Sequence, residues 1–141
     1  MTTSYLPISV TASATLNRKT HAGTTTVINA AAGLTLTLPA ASGTGDEYTI
    51  FVGTTVTSNN AIVQVANSTD IMQGVLSVAA ASAGGAIATT TTSDTITMNG
   101  TTTGGVKGSY IALKDMASGV WEVSGSLAAS GAGATPFSAA V

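Results

Sequence analysis

Any chemistry in this chain would have to start from a few scattered residues. They are one histidine, His21; an adjacent acidic pair, Asp46-Glu47; two isolated aspartates, Asp70 and Asp94; and one tryptophan, Trp121. A histidine base needs an orienting carboxylate and a nucleophile beside it. His21 lies instead between a basic pair and a glycine, which predicts an exposed loop residue. Glycoside hydrolysis needs two carboxylates on facing walls of a cleft. Neighbours on a strand point to opposite faces, so Asp46-Glu47 reads as a solvated strand entry. Asp70 and Asp94 could each lend an oxygen to calcium, but no clustered acidic ligand loop surrounds either. Trp121, with Val120 and Val123 beside it, reads as an anchor in a core or a subunit interface.

Other motifs are missing. The chain has no G-x-S-x-G elbow, no H-E-x-x-H, no phosphate loop and no G-x-G-x-x-G. It has no cysteine, so neither a disulfide framework nor a thiolate zinc site can form. Four basic residues, of which only Arg18 and Lys19 are adjacent, give no electrostatic footprint for nucleic acid. Asn67-Ser-Thr69 and Asn99-Gly-Thr101 match the glycosylation acceptor pattern, as chance allows in a threonine-rich chain. No cofactor and no metal is expected, and an enzyme ranks behind a binding or structural role.

The elements that would position these residues are short strands. Gly33-Leu-Thr-Leu-Thr-Leu-Pro39 alternates apolar and polar residues, the mark of a strand with one buried and one wet face. Similar runs span Thr24–Asn29, Tyr48–Val52, Ala61–Ala66, Met72–Ala79, Thr95–Met98, Val106–Leu113 and Val120–Val123, with a weaker one at Thr11–Leu16. Ala83–Ala86 reads as a glycine-centred loop, and Met116–Gly119 as a tight turn between strands. Asn99-Gly100 is the strongest hairpin signal, because both central positions of a type I′ turn need positive φ. No helical period and no fixed repeat stand out. The pattern predicts an all-β domain, an antiparallel β-sandwich or jelly roll, with flexible N- and C-terminal segments. Residues 1–10 read as an extended arm, 11–124 as the β domain and 125–141 as a Gly/Ala/Ser-rich tail.

Charged residues make up only 7% of the 141, and the formal net charge is −2. The surface must therefore be coated by hydroxyls and methyls, as in shells, fibres and adhesive proteins. Mean hydropathy is +0.42. Even so, the uncharged run Ile71–Ser93 is too rich in Gly, Ser and Thr for a bilayer, and acidic residues flank it. The N-terminus shows neither a basic n-region nor an apolar h-region, so no secretory leader is expected and the chain should be made in a cytoplasm.

The order of segments carries a resemblance. "HAGTTTVINAAAGLTLTLPAASGTGDEYTIFVGTTVTSNNAIVQVA", "TDIMQG", "TSDTITMNGTTTGGVKGSYIALKDMASGVWEVSG" and "ATPFS" follow one another from His21 to Ser138. They resemble the capsid decoration, or cement, proteins of tailed bacteriophages. The resemblance implies an all-β domain on the outer capsid lattice of the virion, typically a homotrimer bound to the major capsid protein. It brings no active site. Flexible ends could clamp neighbouring subunits, which makes Tyr5, Leu6, Pro7, Pro136 and Phe137 candidate contacts beside Trp121. The rival reading is a tail-fibre or receptor-binding module that grips host-surface glycans.

Overall fold

The computed structural model describes residues 6–141. Its strands are β1 (Ile8–Val10), β2 (Ala14–Thr15), β3 (Thr25–Ile28), β4 (Leu34–Thr37), β5 (Glu47–Val52), β6 (Ala61–Gln64), β7 (Ile71–Ala79), β8 (Gly85–Ala88), β9 (Thr95–Met98), β10 (Tyr110–Ala117), β11 (Val120–Ala128) and β12 (Phe137–Ser138). One short helix, α1 (Arg18–His21), interrupts them. The large sheet has the order β1-β3-β5-β10-β11-β7-β8, and the small one β12-β9-β6-β4-β2.

Alternation decides which side chains meet. In β4, Leu34 and Leu36 are buried while Thr35 and Thr37 are half-exposed. In β5, Tyr48, Ile50 and Val52 point inward. The inner faces of both sheets join in one apolar core, with Leu36, Val63, Ile96 and Met98 from the small sheet and Ile28, Ile50, Met72, Leu76, Ile111, Leu113 and Trp121 from the large one. The arrangement is a two-layer, sandwich-like packing of open sheets.

The expected antiparallel sandwich needs correction, because both sheets are mixed. β1, β3 and β5 run parallel in the large sheet, as do β7 and β11. β2, β4 and β6 run parallel in the small one. The cause is the path of the chain. From β1 to β6 each successive strand enters the opposite sheet. A chain that crosses between layers at every connection returns to its first sheet in the original direction, so same-sheet neighbours become parallel. Parallel strands need a long crossover; here each crossover contains a strand of the facing sheet. Among the described residues only β7–β8 and β10–β11 join consecutive strands within one sheet.

Three local expectations also change. Asn99-Gly100 is not a hairpin, since β9 lies in the small sheet and β10 in the large one. Instead the Asn99 Oδ1 accepts the N–H groups of Thr101, Thr102 and Thr103 at 2.9, 2.8 and 3.2 Å. Half of the Ala83–Ala86 loop belongs to β8. The boundary expected after residue 124 falls inside β11, which runs on to Ala128. Beyond it the chain stays bound. Ala129 N–H donates to Ala79, Gly131 N–H to Thr101 and Gly133 N–H to Ser82. β12 then pairs with β9.

Candidate functional site: the outer face of the large sheet

The large sheet turns a broad face outward that no other described residue covers, and its register sorts that face into rows. One row is charged: Glu47, Lys114 and Glu122 stand side by side on β5, β10 and β11. The Lys114 ammonium lies 3.4 Å from the Glu47 carboxylate. The next row is small, with Thr25, Thr49, Ala112, Ser124 and Val75 in register across five strands. A third is partly apolar and aligns Ser9, Val27, Phe51, Tyr110, Ser126 and Ser77. Tyr110 is 44% exposed and Val75 45%. Between the charged and small rows lies a shallow depression of about 310 Å³, lined by Glu47, Thr49, Lys114, Glu122 and Ser124. The face offers hydroxyls, methyls, a charge triplet and one aromatic patch.

Buried aspartates hold the loops around this sheet. Asp115 follows Ile111 and Leu113 in phase on β10, so its side chain enters the interior. Its Oδ1 accepts the N–H groups of Ser42 and Gly43 at 3.0 and 2.7 Å. Its Oδ2 accepts the Thr44 N–H at 3.2 Å and the Thr44 hydroxyl at 2.9 Å. Burial pushes this carboxyl upward, but the backbone donors of residues 42–44 and the Thr44 hydroxyl outweigh it and hold the carboxyl below its ordinary range. Asp70 accepts the Ala41 N–H at 2.8 Å. Asp94 accepts the Thr95 hydroxyl at 2.7 Å and the Ala140 N–H at 2.8 Å. The two aspartates weighed as calcium ligands thus bind the chain's own donors. Among the described residues no three His, Asp or Glu side chains gather as a metal site would require.

His21 is a correction: it is buried, not an exposed loop residue. Asn17 caps α1 by accepting the Thr20 N–H at 2.9 Å, and its own N–H donates to the His21 Nδ1 at 3.0 Å. The imidazole therefore serves as a helix-cap acceptor. The acidic pair is divided between two cations. Asp46 pairs with Arg18 at 3.0 Å, and Glu47 turns to Lys114. Trp121 points into the core with Tyr48 edge-on at 5.6 Å and 75°. Its indole Nε1 is buried without a hydrogen-bond partner among the described residues. Burial first, then the charges of Asp46 and Asp115, push the Tyr48 phenol up.

The expected contact residues do not converge. Pro136 and Phe137 are buried, and Phe137 lies in register with Ile96. Their apolar surface is spent inside the domain, which corrects their reading as outward anchors, and Trp121 is likewise spent in the core. Leu6 is 76% exposed beside exposed Pro7, with its carbonyl accepting the Thr24 hydroxyl. Tyr5 lies outside the described residues. The patch Val27, Phe51 and Tyr110 went unread because its members sit on three strands, and only register brings them together. No known protein family, no curated protein and no solved structure matches the chain.

Proposed function

We propose that this chain is a structural virion protein, a capsid decoration or cement protein that binds the outside of a bacteriophage head and stabilises its lattice. The observation that carries the reading is the outer face of the large sheet. It is a wide, ordered surface of hydroxyls and small apolar groups with an aromatic patch at Phe51 and Tyr110, set on a scaffold whose loops are tied by buried carboxylates. Such a face suits a broad, water-excluding contact in which aromatics serve as anchors. The resemblance in segment order adds the major capsid protein as partner and a homotrimer as the assembly. Low charge and small side chains let subunits approach closely.

The test is co-sedimentation with expanded capsids of the phage that encodes the chain. Wild-type protein should pellet with the capsids, and Tyr110→Ser should pellet less while keeping its fold. Equal binding by Tyr110→Ser and Phe51→Ser would remove the sheet face from the contact.

One observation favours a second reading. The depression beside Glu47, Lys114 and Glu122 is polar and open, as a glycan site on a tail fibre would be. Glycan-array binding lost in Glu122→Gln, with no capsid binding, would select that reading.

A further inference from the structure

We infer that β8 is a strand-addition edge whose occupant is β8 of a second copy of this chain, paired antiparallel about Ile87. Among the described residues the two sheets have four edge strands: β1, β8, β12 and β2. Three of them are guarded. β1 follows Pro7, β12 follows Pro136, and β2 has only two residues. Proline and shortness are the usual devices that stop an edge from recruiting another strand. β8 is the longest of the four, at four residues, and it has neither device. It carries no charge, and neither does any residue from Ile71 to Ser93.

The hydrogen-bond phase is fixed by the neighbouring strand. Thr89 N–H donates to the Gly74 carbonyl at 3.0 Å, and the β7–β8 register places Val75 opposite Ala88 and Ser77 opposite Ala86. In an antiparallel ladder bonded and non-bonded pairs alternate. Ile87 and Gly85 therefore bond toward β7, while the N–H and C=O groups of Ala86 and Ala88 point away from it. Both alanines are exposed.

This edge is self-complementary. A two-fold axis at Ile87 sets Ala86 opposite Ala88 of the second copy, and Ala88 opposite its Ala86. Each of these is then a bonded pair, exchanging both N–H and C=O groups. The side chains that meet on the outer face are methyls, so nothing clashes. No like charges face each other, which would otherwise oppose the pairing of identical strands. A foreign strand would need a matching sequence; a second copy supplies one by symmetry. The inference is independent of what the outer face binds, and a two-fold edge contact is compatible with a trimer formed elsewhere on the chain.

The absence of cysteine allows a direct register test. Ala86→Cys and Ala88→Cys chains are prepared separately, then mixed and oxidised. The mixture should give a disulfide-linked dimer. Either variant alone should give several-fold less, because 86 faces 88 and not itself. In parallel, the mass of the intact wild-type protein is measured by light scattering across a concentration series, and it should rise to at least two chains. Ala88→Pro deletes an edge-facing N–H that β7 does not use. Its circular dichroism should match wild type while the two-fold contact is lost. Equal cross-linking in the single variants and the mixture would overturn the inference, as would association undiminished in folded Ala88→Pro. A wild-type protein that stays a single chain at every concentration would overturn it as well.

Discussion

Asp115 is the residue on which the loop geometry turns. One carboxylate binds donors from residues 42–44, more than seventy positions earlier in sequence. Asp115→Ala leaves those donors unpaired in a buried site and should cost about 3 kcal/mol of stability, read from urea unfolding. The sign of its pH dependence follows from its lowered pKa. A carboxyl depressed in the folded state stabilises fully above its unfolded value, about pH 4, and that stability is lost as pH falls through the lower folded value. The urea midpoint of wild type should therefore fall on acidification below about pH 4 more steeply than that of Asp115→Asn. Equal slopes would show that Asp115 is not the titrating clamp. Trp121→Ala should cost about 3–5 kcal/mol, because the ring fills the core against Tyr48. Trp121→Phe should cost less, since it removes the unpaired indole N–H together with part of the volume. The burial of Trp121 was legible from its apolar neighbours. The role of Asp115 was legible only through its phase with Ile111 and Leu113, a signal that polar residue type obscured. His21 misled because its flanking residues suggest a loop, whereas it ends the short helix α1 and its ring turns back to accept the Asn17 N–H.

The strands themselves were the most readable elements. β3, β4, β6 and β9 lie within the alternating runs that mark them, and β5 starts one residue before its run, because period-two alternation directly encodes one buried face. Pairing direction was not readable, since alternation says which face is buried and nothing about which strand lies alongside. The winding of β1 to β6 between layers is set by connections whose sequences carry no repeat. The C-terminal stretch was misread for a related reason. Its Gly, Ala and Ser content resembles a linker, yet Leu127 and Phe137 are buried and Asp94 binds Ala140. Phe137→Ala should cost about 3 kcal/mol. Removing residues 129–141 should lower the thermal midpoint markedly, because it bares the β9 edge. An unchanged midpoint would make the segment an appendage. At the turn after β9, Gly100 holds φ +80, and a Cβ there would collide with the Val56 carbonyl. Gly100→Ala should therefore destabilise by about 1–3 kcal/mol in the same assay.

At the scale of the whole molecule, composition foretold the surface better than the topology. A chain with few charges and many threonines folds into two sheets, and the outer rows of the large one are mostly threonine, serine and alanine with Val27 and Val75, interrupted by one charge triplet and one aromatic patch. What that surface binds cannot be written in alternation, because a docking face is defined by its partner's shape as much as by its own residues. The proposal that it is a capsid cement rests on the breadth of the face and on the resemblance in segment order. On that proposal the chain is encoded by a tailed phage, and the most direct measurement is electron cryomicroscopy of that phage's purified virions, with the protein located in the density. The account predicts many copies arrayed on the outer head lattice, with the outer face of the large sheet against the major capsid protein. A few copies confined to the tail tip, or none on the particle, would contradict it.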